Sequence, residues 1–165
     1  MNTKRRTIWT LIIAASMGCI LAAIGILPLT GAAQAMADGS NAHNSPAGSW
    51  IVTVTPDPQS GLPTETNIAT LTEDGRIVNV EANGNVSAGS WKKTGAQRFG
   101  VTFMGLFIEN DQRFRLKVRA ACRLTEQGNE FEGPFTTEIF DSAGTLLFSV
   151  SGTVHATRFG VEPLD

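Results

Sequence analysis

The chain has 165 residues, 42% of them hydrophobic, a formal net charge of −2, no tyrosine and two cysteines. Lys4, Arg5 and Arg6 stand together near the N-terminus, and without them 10 bases face 15 acids, a net of −5, which argues against a nucleic-acid partner. Cys19 lies in an apolar leader and Cys122 in a strand-like run, so no intrachain disulfide is expected.

The three bases precede an apolar stretch over residues 8–29, and Ala33-Gln34-Ala35 and Ala35-Met36-Ala37 both fit the small-x-small cleavage rule. Residues 1–37 therefore read as a signal peptide, and the protein as secreted, periplasmic or cell-surface. If uncleaved, this leader is the one expected contact with a membrane. Arg5-Arg6 keeps the twin-arginine export route open beside the general one. Residues 38–47, rich in Asn, Ser, Gly and Ala, read as a flexible connector in which His43 is solvated. A single domain over 48–160 and a short tail over 161–165 complete the chain.

The domain opens on Gly48-Ser49-Trp50-Ile51-Val52-Thr53-Val54-Thr55, where Trp50, Val52 and Val54 share one face of a period-two ribbon. Residues 56–63, with three prolines and a glycine, form a long loop of the sort that covers one mouth of a barrel. Short hairpins follow. Asp74-Gly75, read as a two-residue turn, sets Leu71 opposite Val78 and Ala69 opposite Val80; Asn83-Gly84, read the same way, puts Trp91 on that face. Asn85-Val86-Ser87 on this turn fits a glycosylation acceptor, relevant only in a eukaryotic host. A three-residue connection, Gly95-Ala96-Gln97, brings Trp91 opposite Val101, and the inward set continues through Phe99, Phe103 and Phe107. Met104, Leu106 and Ile108 then form an outward apolar row, a candidate homodimer seam.

Residues 113–125 alternate most clearly, with Phe114, Leu116, Val118, Ala120 and Cys122 inside and five bases outside. The following strand carries Glu132 and Glu138 on its outer parity and Phe135 and Ile139 on its inner one. The bases therefore read as a solvated cross-strand ladder, Arg123 against Glu132 and Lys117 against Glu138. A turn over 142–144 that pairs Asp141 with Leu146 sets Ile139 opposite Phe148 and Thr137 opposite Val150, and the inner parity runs on to Arg158. His155 faces solvent.

These runs describe an all-β fold, a single eight-stranded antiparallel up-and-down meander, and such a sheet removes its edges by closing into a barrel. Gly48-x-Trp50 on the first strand with Arg158 near the end of the last is similar to the pattern of the lipocalins and the wider calycin group. The resemblance implies a lipocalin-like barrel in which Trp50 and Arg158 stack to seal one end. It extends to strand order and these three positions; the family's tyrosine-bearing signature and its C-terminal helix are missing from this sequence.

A small eight-stranded barrel either fills with its own side chains or holds one small ligand. The expected function is a carrier for a small apolar molecule, lined by Trp91, Phe99, Phe103, Phe107, Phe114, Leu116, Val118, Phe135, Ile139, Phe148 and Val150, with Gly105, Ala120, Gly133 and Gly152 leaving room. No nucleophile with its base, metal cluster or cofactor motif stands out. The runner-up is a barrel-chamber enzyme of the cyclase or isomerase kind, resembling allene oxide cyclase or dirigent proteins, with Thr137, Glu109 and Asp141 as its inward polar groups. A non-catalytic interaction module is a third reading. A buried carboxylate of raised pKa inside the barrel would favour the enzyme.

Overall fold

The computed structural model describes residues 44–161. The leader with Cys19, residues 38–43 with His43, and residues 162–165 lie outside the described residues. Eight strands form one closed antiparallel barrel in sequence order: β1 (Gly48–Pro56), β2 (Glu65–Leu71), β3 (Arg76–Val80), β4 (Val86–Lys93), β5 (Arg98–Glu109), β6 (Gln112–Leu124), β7 (Glu130–Phe140) and β8 (Leu146–Phe159). β1 pairs with β8 through Trp50↔Arg158 and Val54↔Val154, which closes the ring. The loop after β1 contains one 3-10 turn, Pro58–Ser60.

Most of the register follows the apolar alternation. Trp91 lies opposite Val101, Lys117 opposite Glu138 and Arg123 opposite Glu132, and Ile139 opposite Phe148, Thr137 opposite Val150 and Phe135 opposite Gly152. Asn110 and Asp111, at φ 49° and 58°, make the tight two-residue turn between β5 and β6. On the outside, Glu138 is shared by Arg119 Nη2 at 2.8 Å and Lys117 Nζ at 3.9 Å. The ladder's pairs are exposed or half-exposed and worth about 0–1 kcal/mol each.

The β2–β3–β4 register differs from the sequence reading. Thr72, not Glu73, closes on Arg76, and Glu81 closes on Asn85, so each connection has three residues with a glycine last. Gly75 and Gly84 take φ of 85° and 86°, the left-handed position that ends a type I turn with a G1 bulge. The first slip places Ile77 opposite Leu71 and Asn79 opposite Ala69, and turns Val78 and Val80 outward. The second slip reverses the first, so Trp91 still faces inward. A similar adjustment joins β7 to β8: Asp141 closes on Thr145, not on Leu146, and Leu147 bulges out to restore the Ile139–Phe148 pair.

Because Val78 and Val80 point out, the outer surface carries an apolar band. Ile51 pairs with Ile68, Ile68 with Val80 and Val80 with Val86, and all four are exposed. Beyond Val86, Met104, Leu106 and Ile108 are 44%, 77% and 69% exposed on β5.

Trp50 is fully buried, and its indole N–H donates to Pro46 O at 2.9 Å. The Arg158 guanidinium lies 4.2 Å from the indole centroid and donates to Gly128 O, Ala47 O and Ser45 O at 2.9, 2.6 and 2.8 Å. Residues 44–47, assigned by composition to the connector, are thereby drawn under the barrel and bonded to it. Burial pulls the Arg158 pKa below its ordinary value, yet three carbonyl acceptors and a π face remain around the charge. Gly48 takes a φ of 144°, which side-chain-bearing residues rarely adopt, and a Cβ there would also collide with Arg158 Nη1, which explains a glycine at this position. An aromatic chain continues across the floor: Phe131 meets Trp50 edge-on at 4.7 Å, Phe99 meets Phe131 at 5.2 Å and Trp91 meets Phe99 at 6.3 Å.

Candidate ligand-binding cavity

Above this floor the barrel encloses a cavity of about 540 Å³, within the range of small-molecule sites. Its mouth lies among the 57–64 loop, which contributes Leu62 and Pro63, the 81–85 loop and the β5–β6 turn. Of the side chains expected to line it, Phe103, Phe107, Leu116, Val118, Phe135, Ile139 and Val150 do so. The other four are not among its lining residues. Trp91 and Phe99 belong to the aromatic floor, and the Trp91 indole donates to Thr72 O at 2.9 Å. Phe114 is buried against Phe107, with ring centroids 5.3 Å apart, and Phe148 is half-buried beside Ile139.

The cavity wall is two-sided. β5 to β8 present Phe103, Leu116, Val118, Phe135, Ile139 and Val150, with Thr137 among them. β2 to β4 and the 81–85 loop present Glu65, Asn67, Asn79, Glu81, Asn83, Asn85 and Ser87 beside the apolar Ala69, Leu71, Ile77 and Val86. Asn79 and Ser87 are 3% and 2% exposed and lie opposite each other. The Asn79 amide nitrogen, the Ser87 hydroxyl and the Asn67 carbonyl oxygen are closed off from solvent without a protein partner. Sequence reasoning missed this side: the two-residue reading of the Asp74-Gly75 turn placed Asn79 and Glu81 outside. Asn67 and Glu65 share the parity of Ala69 and were the legible signal.

Among the described residues, every charged side chain lining the cavity is a carboxylate: Glu65, Glu81 and Glu109. Burial raises the Glu81 pKa against weaker lowering by hydrogen bonds from the Asn85 and Asn83 amides, both 3.4 Å away. At Glu65, burial and then the charge of Glu81 raise the pKa, although the residue as a whole remains exposed at the rim. Both Glu109 carboxylate oxygens lie shielded without a protein partner, and desolvation raises that group too. Cys122 also lines the cavity as a free thiol with its pKa pushed up to about 12 by burial, so it stays protonated and unreactive at neutral pH. Among the described residues, no three His, Cys, Asp or Glu side chains converge to hold a metal ion.

The raised carboxyls give the barrel a definite pH response. A carboxyl whose pKa is higher folded than unfolded binds its proton more tightly in the barrel, so it opposes folding at neutral pH. That opposition disappears as the pH falls below the ordinary carboxylate range. A Glu65→Gln/Glu81→Gln/Glu109→Gln variant is therefore expected to melt higher than the parent at pH 7, with the gap closing toward pH ~4. Scanning calorimetry across that range checks it; a gap that widens in acid contradicts the assignment.

Comparison of the chain with protein-family models, curated proteins and solved structures finds no match.

Proposed function

We propose that the protein is an exported carrier or sequestering protein that holds one small, largely apolar molecule in a lipocalin-like barrel. The supporting observation is the cavity itself, about 540 Å³, open at one end and sealed at the other by Trp50 and Arg158. That seal is the arrangement the family resemblance implies. A rigid floor with an open, loop-lined mouth suits reversible capture of a ligand entering from one side. Titrating the full chain with a neutral dye such as Nile red is expected to give saturable, one-to-one binding. Val118→Trp, directed into the open volume, is expected to weaken dye binding about tenfold. A purified, folded chain with no saturable binding removes the carrier reading.

A second reading, the barrel-chamber enzyme, is favoured by one observation: carboxyls of raised pKa line the cavity, at Glu65, Glu81 and Glu109. Such groups are suited to general acid or base work near neutral pH. It ranks second because Glu65 and Glu81 sit beside the loops at the rim, away from the apolar depth where a substrate's reacting skeleton would lodge. Mass analysis of a bound compound recovered after prolonged incubation separates the two: unchanged material supports the carrier, and an isomerised or cyclised product supports the enzyme.

A further inference from the structure

We infer that the ligand is an amine-bearing amphiphile of the long-chain amino-alcohol kind, its cationic nitrogen between Glu65 and Glu81 and its hydrocarbon against β5–β8; this rests on the small-molecule carrier reading. Three observations converge on it. First, among the described residues the cavity wall holds three carboxylates and no Lys, Arg or His, so none of them compensates a ligand anion. A fatty acid entering the mouth would meet like charge in a partly desolvated setting, where repulsion is least screened.

Second, Glu65 and Glu81 repel one another: burial first and then the charge of Glu81 raise the Glu65 pKa. Among the described residues, the side chains lining the cavity around this pair carry no cation. β1 offers Val54 and Pro56, the neighbouring loop Asn83 and Asn85, and the β5 rim Glu109. An ammonium group has three donors and a compact charge. Placed between the two carboxylates, it relieves their repulsion and favours their ionised forms.

Third, one step deeper, the ladder places Asn67 and Glu81 each one residue beyond the Ile68–Val80 pair, with Asn79 and Ser87 paired below. Asn67 offers an unpartnered acceptor oxygen, Asn79 an unpartnered donor nitrogen, and Ser87 a hydroxyl able to act either way, all shielded from solvent. Buried polar groups of this kind are normally satisfied. A ligand hydroxyl satisfies both kinds at once, donating to Asn67 and accepting from Asn79. The β5–β8 wall is apolar, Phe135, Ile139 and Val150 among it, and takes a hydrocarbon chain.

The test is calorimetric titration of the full chain at pH 7.5 with dodecylamine, dodecan-1-ol and dodecanoate, each below its micellar threshold. The amine is expected to bind roughly tenfold more tightly than the alcohol, and dodecanoate weaker than both, as a charge-assisted bond is worth about twice a neutral one. In Glu65→Gln/Glu81→Gln the amine's advantage over the alcohol is expected to vanish while the alcohol's affinity holds. Equal binding of all three, or a preference for dodecanoate, overturns the amine assignment and leaves the carrier reading intact. If none of the three binds, both fall. The amine's advantage is also expected to shrink below pH ~5 as the carboxyls take up protons; an advantage that persists there counts against the carboxylate pair as its cause.

Discussion

Trp50→Ala is expected to destabilise the barrel by about 3–5 kcal/mol, the cost of truncating a large core aromatic. The residue is fully buried, and three kinds of interaction end with it. The Pro46 carbonyl loses the indole N–H donor, Phe131 loses its edge-on partner, and the Arg158 guanidinium loses the ring it lies on. Arg158 is the more serious loss, because its charge stays partly buried while one side of its surroundings becomes a void. Single domains have only about 5–15 kcal/mol in hand, so a melting temperature lowered by roughly 10 °C or more is the expected reading. Trp50→Phe should recover part of that, since it restores a ring and not the donor. Urea unfolding of both variants checks the order; a Trp50→Ala loss below about 1 kcal/mol would show that the floor does not hold the ring shut.

Gly133→Ala is expected to cost at least about 1–3 kcal/mol, the usual range for forcing atoms into a filled core. The methyl would collide with Ala121 O and lie 2.9 Å from Ala121 C and Cys122 Cα, all on the main chain of the paired strand. Backbone in a closed ladder cannot step aside as the end of a side chain can. Gly152 is confined in the same way, with Thr55 O in collision, Pro56 Cα at 2.7 Å and Phe135 Cε1 at 2.8 Å. Both glycines face inward where neighbouring strands approach closely, the condition under which a sheet bends sharply enough to close. Gly160→Ala, with nothing within 4 Å, serves as the control and should stay within about 0.5 kcal/mol. If thermal melts of Gly133→Ala and Gly160→Ala coincide, the close approach is not a constraint on the fold.

β5 to β8 were legible because their alternation runs for ten residues or more on each strand, 12, 13, 11 and 14 in turn. Over that length one parity is unmistakably apolar. β3 has five residues, Arg76–Val80, and apolar side chains on both parities, so its orientation depended wholly on the turn before it. Asp-Gly and Asn-Gly favour a two-residue turn, but the same pairs also end the three-residue bulged kind, and residue type alone does not separate them. Two slips of one residue then cancelled at Trp91, which hid the first from any check made further along the chain. The price was the polar wall: with β3 inverted, Asn79 and Glu81 read as surface. Trp91 and Phe99 were correctly turned inward, but parity fixes a side and says nothing of depth. Depth follows from strand stagger, which placed them in the floor.

The seam between β1 and β8 brings Ser49 and Phe159 side by side at the sealed base, so the backbone enters and leaves the barrel at its foot. Anything fused or tethered through the residues preceding 44 is thereby attached beneath the cup, opposite its rim.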